Sequence, residues 1–190
     1  LTAASTLGFA GVNVTHPFKQ AVIPHLTDIA PEAAAIGAVN TIVFSKGGLT
    51  GHNTDCWGFA ESFRDKMSGC PLDRVVQFGA GGAGAAVAYA LLGLGVGQLA
   101  IIDKDTARAE GLATRFGANK RVIVGNVEEA LLDADGIVNT TPVGMTKYPG
   151  LPFPADRLSS RHWVAEIVYF PLETELLGHA RALGCRTLAG

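Results

Sequence analysis

A chain of 190 residues is long enough to bury a hydrophobic core and to form one or two domains. Its 15 basic and 17 acidic residues give a net charge of −2 and are scattered, which argues against nucleic acid or an anionic membrane as a partner. No apolar run is as long as a membrane span, and the three cysteines and five histidines follow no disulfide or metal-binding pattern, so we expect a cytoplasmic protein without a metal.

The first predicted elements are a short strand and a short helix. Residues 9–14 favour a strand, and Pro17 predicts the first position of a helix with Thr15 or His16 near its N-cap. Lys19 then falls in the first turn of this helix, where a positive charge opposes the helix dipole. A solvated lysine is the simpler interpretation of such a residue, and the misfit alone favours a functional role only slightly.

A second short helix, a hairpin and a longer helix are predicted next. The short helix covers Pro31–Ile36, and the hairpin pairs residues 38–44 with residues 49–52. The longer amphipathic helix covers residues 57–67. Asp55 precedes it in a capping segment, and a carboxylate there also has a structural explanation, because helix N-termini favour negative charge.

Residues 68–71, Ser-Gly-Cys-Pro, end this helix and are the best candidate for a linker in the chain. Small, turn-forming residues of this kind are typical of domain boundaries. We therefore predict one domain over residues 1–68 and a second over residues 69–190.

A strand, a glycine-rich turn, a helix and a second strand follow one another at the start of the second domain. The two apolar runs are residues 75–78 and 99–102, and the turn Gly-Ala-Gly-Gly-Ala-Gly covers residues 79–84. A helix with small apolar residues connects the turn to the second run. This order predicts the βαβ unit of a right-handed parallel crossover.

The positions of the glycines indicate a dinucleotide site. Gly79, Gly81 and Gly84 occupy the G-x-G-x-x-G positions, and Asp103 lies 19 residues after Gly84 at the end of the second strand. Such a turn lets a pyrophosphate approach the N–H groups of a helix N-terminus, and the acidic side chain can accept hydrogen bonds from a ribose diol. A purely structural glycine turn is the weaker alternative.

Alternating helices and strands continue to the end of the chain and predict an open parallel sheet. Polar and glycine-bearing residues 140–145 follow the fourth strand of this sheet. Loops at the carboxyl ends of such strands line the ligand crevice. The predicted helices cover residues 106–116, 127–132 and 173–183, and the predicted strands cover residues 121–124, 136–139, 163–168 and 185–188.

Six segments, spread over nearly the whole chain, resemble the shikimate dehydrogenase family, and within it the bacterial quinate/shikimate dehydrogenases. They are GVNVTHPFK at residues 11–19, GAVNT at 37–41, GHNTD at 51–55, the glycine turn at 79–84, NTTPVGM at 139–145 and VYFPLETEL at 168–176. The resemblance implies an α/β fold with an N-terminal α/β substrate domain, a C-terminal Rossmann-like doubly wound parallel sheet and an active site in the cleft between them. It also implies that the family's first strand would precede Leu1 and that its closing helices would follow Gly190.

The resemblance also implies a role for individual residues. Lys19 and Asp55 match the family's catalytic pair, and the expected substrate contacts are Thr15, Asn40 and Tyr169. The expected cofactor contacts are Gly79, Gly81, Gly82, Ala83 and Gly84 at the pyrophosphate turn, Asp103 and Arg108 at the adenosine ribose, and Thr141, Val143, Gly144, Val168 and Gly190 at the nicotinamide end.

A lysine beside a carboxylate suits the chemistry of a dehydrogenase. Oxidation of a secondary alcohol transfers a hydride to nicotinamide and leaves a proton on oxygen, which a base must take. Desolvation would lower the pKa of Lys19, whereas the Asp55 carboxylate would raise it. The sequence does not decide between the two effects, and we treat the pair as one acid–base unit.

The resemblance predicts shikimate oxidation, with quinate as a second substrate. NAD is expected rather than NADP, because Asp103 and Asp105 would repel a 2′-phosphate, although Lys104 and Arg108 could turn toward one. A non-catalytic sensor that binds the same small molecules is the alternative function. The expected partner is the small-molecule substrate. The sequence does not decide between a monomer and a homodimer.

Overall fold

Two separate β-sheets form the framework of the chain, one with four strands and one with six. The structure, a computed structural model, describes residues 1–15, 17–117 and 121–190. His16, one of the two cap residues considered for the helix predicted after the first strand, lies outside the described residues. Within the described part of the chain, no helix has both the length and the apolar character that crossing a membrane requires.

The first sheet is mixed and lies in the N-terminal part of the chain. Its strand order is β1-β3-β4-β2; β3 pairs antiparallel with β1 and β4, and β2 pairs parallel with β4. Val39 and Ile42 are fully buried on this sheet beside Ala33 of α2. The elements are α1 (Thr2–Thr6), β1 (Gly11–Asn13), β2 (Asp28–Ile29), α2 (Pro31–Ile36), β3 (Thr41–Ser45) and β4 (Gly48–His52).

The predicted hairpin and the predicted short helix over Pro31–Ile36 are confirmed, whereas the helix predicted after Pro17 is wrong. Residues 17–22 form turns, and a 3₁₀-helix follows at Ile23–His25. The reason is a tertiary hydrogen bond, because the Lys19 carbonyl accepts from the Val39 N–H at 2.8 Å. That carbonyl is therefore not available to a regular helix.

The second sheet is parallel throughout and confirms the predicted open sheet. When its six strands are numbered along the chain, they lie side by side in the order 3-2-1-4-5-6. The first strand (β5) therefore lies beside the fourth (β8), and the connections diverge between them. This is the doubly wound order of dinucleotide-binding sheets. The strands are β5 (Arg74–Phe78), β6 (Gln98–Ile102), β7 (Val122–Val124), β8 (Gly136–Asn139), β9 (Trp163–Glu166) and β10 (Thr187–Leu188).

Helices cover both faces of this sheet. Buried residues of α3, α4 and α5 pack on one face, and those of α6 and α7 pack on the other. Adjacent residues of β5 illustrate the arrangement, since Val75 belongs to the first core and Val76 to the second. The helices are α3 (Asp55–Lys66), α4 (Gly82–Gly93), α5 (Thr106–Phe116), α6 (Val127–Leu132) and α7 (Glu175–Ala182), with a 3₁₀-helix at Ala155–Arg157.

Contacts between the two parts of the chain fix the first sheet beside the second. Phe63 of α3 packs edge-on against Trp163 of β9, with ring centroids 4.9 Å apart. Arg115 of α5 donates a hydrogen bond to the Ile36 carbonyl at the end of α2, at 2.7 Å. Residues 68–71 connect α3 to β5, and the domain boundary that we place there stays a prediction.

Candidate active site

The carboxyl ends of β5 and β8 lie side by side at the point where the strand connections diverge. The glycine turn follows β5 and leads directly into α4, and the loop 140–145 follows β8. In a doubly wound sheet, the crevice at such a point is where a dinucleotide binds. Both loops that the sequence singled out therefore lie at the same place.

The three motif glycines have different surroundings. Gly79 has a φ of +100°, and a Cβ there would lie 2.6 Å from Oγ1 of Thr140. A Cβ at Gly84 would lie 2.3 Å from the Gly79 carbonyl oxygen, whereas a Cβ at Gly81 would meet nothing within 4 Å. Gly79 and Gly84 thus close the turn against the sheet, while Gly81 leaves open space at the N-terminus of α4. This shape fits a pyrophosphate group.

Gln77 of β5 hydrogen-bonds to the glycine turn, and the sequence analysis did not identify this residue. Its side chain is fully buried, and Nε2 donates to the carbonyls of Gly79 at 2.8 Å and Gly84 at 2.9 Å. The amide thus bridges the two ends of the turn. The available signal was a polar residue within a run that is otherwise apolar, since buried polar side chains are usually hydrogen-bonded.

Lys19, Asp55 and Asn40 form one cluster at the N-terminus of α3. Nζ of Lys19 lies 2.7 Å from Oδ2 of Asp55, and Nδ2 of Asn40 donates to Oδ1 of the same carboxylate at 2.7 Å. Both oxygens of Asp55 are therefore engaged. The lysine side chain is 19% exposed and the aspartate side chain 37% exposed, so the pair is accessible from one side.

Neighbouring side chains fix this cluster. Oδ1 of Asn40 accepts from the Thr54 N–H at 2.9 Å. The buried Asn53 donates to the Ala38 carbonyl at 3.0 Å and accepts from the Cys56 N–H at 3.3 Å, and it thereby gives a partner to a backbone donor in the first turn of α3. This hydrogen bond supports a helix that begins at Asp55, with Thr54 as its N-cap, earlier than the predicted residue 57.

The cluster lies next to the glycine turn. A Cβ at Gly82 would be 3.7 Å from Cβ and Cδ of Lys19 and 3.7 Å from Cβ of Ala38. The lysine stem thus lies within van der Waals distance of the first turn of α4. Gly82 and Ala83 are the first residues of that helix, where backbone N–H groups have no partner within the helix.

Two expected substrate residues are exposed at the edge of this region. Thr15 follows β1, and its carbonyl accepts from the Phe18 N–H at 2.9 Å. Tyr169 follows Val168 and is 72% exposed. In the described part of the chain, neither side chain hydrogen-bonds to Lys19 or Asp55.

The acidic residue at the end of β6 is tied to the glycine turn. Oδ2 of Asp103 accepts from the Ala80 N–H at 2.7 Å, and Oδ1 accepts from the Asp105 N–H at 2.9 Å. Arg108, the other residue expected near the adenosine ribose, forms an exposed ion pair with Asp105 at 3.2 Å. The structure therefore places Asp103 at the turn and directs Arg108 toward a neighbouring carboxylate.

The residues expected at the nicotinamide end lie around Asn139. Its Nδ2 donates to the Val143 carbonyl at 2.8 Å, and its Oδ1 accepts from both the N–H and the hydroxyl of Thr141. The same Nδ2 donates to both carboxylate oxygens of Glu166, a buried residue that the sequence analysis also missed. Burial raises the pKa of Glu166 to about 7.

Gly144 and Gly190 complete this end of the crevice. Gly144 has a φ of +105°, and a Cβ there would lie 3.6 Å from Oε2 of Glu166. A Cβ at Gly190 would lie 2.8 Å from the Ile167 carbonyl carbon and 3.0 Å from the Val168 oxygen. The five residues assigned to the nicotinamide end are thus brought together from three separate segments of the chain.

Comparison with known proteins is consistent with this geometry. Residues 1–42 match the family model described as the shikimate dehydrogenase substrate binding domain. The chain is 54% identical to shikimate dehydrogenase (NADP⁺) of Streptomyces avermitilis, covering 99% of the chain and 67% of that protein. It is 49% identical to quinate/shikimate dehydrogenase (NAD⁺) of Corynebacterium efficiens, covering 100% of the chain and 69% of that protein.

A solved structure agrees in fold. Quinate dehydrogenase from Corynebacterium glutamicum in complex with NAD superposes with a TM-score of 0.93 and 47% sequence identity, covering 100% of the chain and 70% of that protein. The chain thus spans about two thirds of the length of these relatives. Identity at this level over the whole chain, together with the same fold, shows that the chain belongs to the shikimate dehydrogenase family.

Proposed function

We propose that the protein catalyses the reversible oxidation of shikimate to 3-dehydroshikimate, with quinate as a second substrate and a nicotinamide dinucleotide as cofactor. The observation that carries this proposal is the cluster of Lys19, Asp55 and Asn40, which lies against the first turn of α4. It supplies an acid–base group beside a turn whose shape fits a pyrophosphate. The names of the relatives supply the substrate class.

In the proposed mechanism, the Lys19 amine takes the proton from the substrate hydroxyl during oxidation and returns it during reduction. The bound nicotinamide supplies the acceptor for the hydride. Asp55 fixes the position of Nζ through the 2.7 Å contact, and Asn40 holds the other oxygen of the carboxylate. Because each member of the cluster is held by another, the lysine is positioned before the substrate binds.

We propose NAD as the preferred cofactor. The Asp103 carboxylate at the glycine turn would accept a hydrogen bond from the ribose 2′-hydroxyl of NAD, but would repel the 2′-phosphate of NADP. The ion pair between Arg108 and Asp105 supports this preference, since it engages one of the two basic side chains, Lys104 and Arg108, that could turn toward a phosphate. The relatives named above include both NAD⁺ and NADP⁺ enzymes, so Asp103 carries this argument.

The alternative of a non-catalytic sensor is not favoured. The relatives and the solved structure are named as dehydrogenases, and both residues of the proposed acid–base pair are present and in contact. We further propose that the protein acts as a monomer or homodimer in the cytoplasm on small-molecule substrates.

The test is an absorbance assay for the formation of reduced nicotinamide. We expect turnover with shikimate and NAD, slower turnover with NADP, and measurable turnover with quinate. In the same assay Lys19→Met should lose turnover, and Lys46→Met, which removes an exposed lysine in the β3–β4 turn, is its control. Binding of shikimate and NAD without any turnover would contradict the enzymatic proposal and favour the sensor.

A further inference from the structure

Glu166 is a buried carboxylate at the carboxyl end of β9, and the proposed reaction does not use it. Its side chain is 2% exposed, although glutamate is among the residues least often buried. A buried charged group without good partners is costly, so its surroundings indicate why it is kept. Those surroundings are the residues expected at the nicotinamide end of the cofactor site.

The Glu166 carboxylate interacts first with the loop after β8. Nδ2 of Asn139 donates to Oε1 at 3.0 Å and to Oε2 at 3.1 Å. With its amide nitrogen held there, Asn139 directs Oδ1 toward Thr141, whose N–H and hydroxyl both donate to it. The Thr141 hydroxyl in turn accepts from the Val143 N–H at 3.1 Å. Glu166 thereby fixes the orientation of an amide that shapes residues 140–143.

The Glu166 carboxylate also interacts with the segment after β9. Oε1 accepts from the Val168 N–H at 3.1 Å, and Oε2 accepts from the Thr174 hydroxyl at 3.2 Å. Thr174 is also the N-cap of α7, where its hydroxyl accepts from the Leu177 N–H at 3.3 Å. One carboxylate therefore ties the loop after β8 to the chain after β9 and to the start of α7.

The ionised carboxyl offers an acceptor to each of these partners. Asn139, Val168 and Thr174 all donate, and none of these groups is charged. In either orientation, a glutamine would place its amide N–H₂ beside the Nδ2 donor of Asn139, which lies within 3.1 Å of both carboxyl oxygens. The arrangement therefore favours a carboxyl group over an amide at this position.

We propose that Glu166 is a positioning residue, which holds the loop after β8 and the segment after β9 in the arrangement that receives the nicotinamide. The carboxylate acts through Asn139 and through the Val168 backbone, and it does not itself react. This inference rests on the proposed function, because it assigns a role within the cofactor site of that enzyme.

A purely structural role predicts a different result from a positioning role. If Glu166 only stabilised the fold, its replacement would weaken the binding of every ligand of the cofactor site to the same extent. If it positions the nicotinamide end, the loss is restricted to ligands that carry a nicotinamide. ADP-ribose provides the comparison, because it has the adenosine and the pyrophosphate of the cofactor but lacks that ring.

The experiment compares wild-type protein with Glu166→Gln, and with Glu175→Gln as a control at an exposed glutamate of α7. Dissociation constants are measured for NADH by its fluorescence and for ADP-ribose by calorimetry, and kcat is measured with shikimate and NAD. For Glu166→Gln we expect about tenfold weaker binding of NADH, because buried donors lose an acceptor. ADP-ribose should bind within about twofold of wild type, and kcat should fall by about one to two orders of magnitude as the ring is misplaced.

A second pair of variants keeps the test decisive if Glu166→Gln does not fold. Thr174→Val removes one donor to Oε2, whereas Thr174→Ser retains the hydroxyl. We expect weaker NADH binding in the valine variant and near-normal binding in the serine variant, with ADP-ribose unchanged in both.

Three results would overturn the inference. The first is unchanged NADH binding and kcat in Glu166→Gln, and the second is an equal loss of affinity for NADH and ADP-ribose in that variant. The third is equal NADH affinity of the two Thr174 variants. Failure of the proposed function gives a different result, since the wild-type protein would then show no turnover with shikimate and NAD, whether or not it binds them, before any variant is compared.

Discussion

The side chain of Lys19 lies against Gly82, the first residue of α4, so that a Cβ at Gly82 would be 3.7 Å from Cβ and Cδ of the lysine. The acid–base group is thus next to the turn that is proposed to bind the pyrophosphate. A change at position 19 can therefore affect the cofactor site as well as proton transfer. Variants that keep the aliphatic stem separate the two effects.

Lys19→Met keeps most of the stem and removes only the amine. We expect kcat to fall by about two to four orders of magnitude, which is the usual effect of losing an acid–base group. NADH binding should stay close to wild type, because methionine largely retains the aliphatic stem that faces Gly82. Steady-state kinetics and NADH fluorescence titration check the two statements. Retention of more than about a tenth of the wild-type kcat would contradict the assignment.

Gly81 and Gly84 are expected to respond differently to alanine. The Gly81 Cβ would enter open space at a φ of −77°, so Gly81→Ala should cost less than about 1 kcal/mol of stability but weaken NADH binding. Gly84→Ala should cost about 2–3 kcal/mol, because its Cβ would lie 2.3 Å from a backbone oxygen.

Urea denaturation and NADH titration measure these two effects. Gly93→Ala is the matched control in the same helix, since a Cβ at Gly93 meets nothing within 4 Å. It should stabilise α4 by about 0.5–1 kcal/mol. Tight NADH binding by Gly81→Ala would show that no ligand group approaches this glycine.

Gln77→Met tests the buried amide below the turn. The carbonyls of Gly79 and Gly84 would lose the donor that they share, and we expect a loss of about 1–2 kcal/mol in the free energy of unfolding. NADH and ADP-ribose should both bind more weakly, because the whole turn is affected. Gln98→Met, at an exposed position of β6, is the control. An unchanged denaturation midpoint would contradict the proposed bridge.

Asp103→Asn tests the cofactor preference. Wild-type protein should use NAD at least about tenfold more efficiently than NADP by kcat/KM, since a carboxylate beside the 2′-phosphate is repulsive. The asparagine variant should narrow this gap, chiefly through tighter NADP binding. Asp156→Asn, at an exposed aspartate of the 3₁₀-helix Ala155–Arg157, controls for a general change in charge. Equal efficiencies of the two cofactors in wild-type protein would contradict the preference.

The buried carboxyl of Glu166 predicts a pH dependence of stability. Burial raises the pKa of Glu166 from 4.5 to about 7 in the folded protein, so the unfolded chain releases this proton at lower pH than the folded chain does. Stability should therefore fall between about pH 4.5 and pH 7, by about 3 kcal/mol, and then level off.

Urea denaturation at several pH values measures this slope. Glu166→Gln cannot titrate, so the difference in unfolding free energy between wild type and variant should change across this range and stay constant above about pH 7. If this difference in unfolding free energy were independent of pH, the Glu166 carboxyl would have the same pKa in the folded and unfolded protein. The pH variation that other groups contribute is common to both proteins and cancels in the difference.

Features that depend on local patterns could be predicted from the amino-acid sequence. The glycine turn and Asp103 predicted the start of the doubly wound sheet, because the spacing of these residues follows from the geometry of one βαβ unit. The predicted helices over Thr106–Phe116 and Val127–Leu132 are confirmed at both ends. In these segments, periodicity and end signals agree with the tertiary packing.

Features that depend on contacts between distant parts of the chain could be read only from the folded structure. A hydrogen bond from Val39 holds Lys19 in a turn instead of the predicted helix, and Asp55, 36 residues away, determines where its amine lies. Glu166 was not recognised because it contacts Asn139, which adjoins it only after β8 and β9 pair. Local patterns cannot encode such contacts, since their energy is gained only when segments far apart in sequence are buried together.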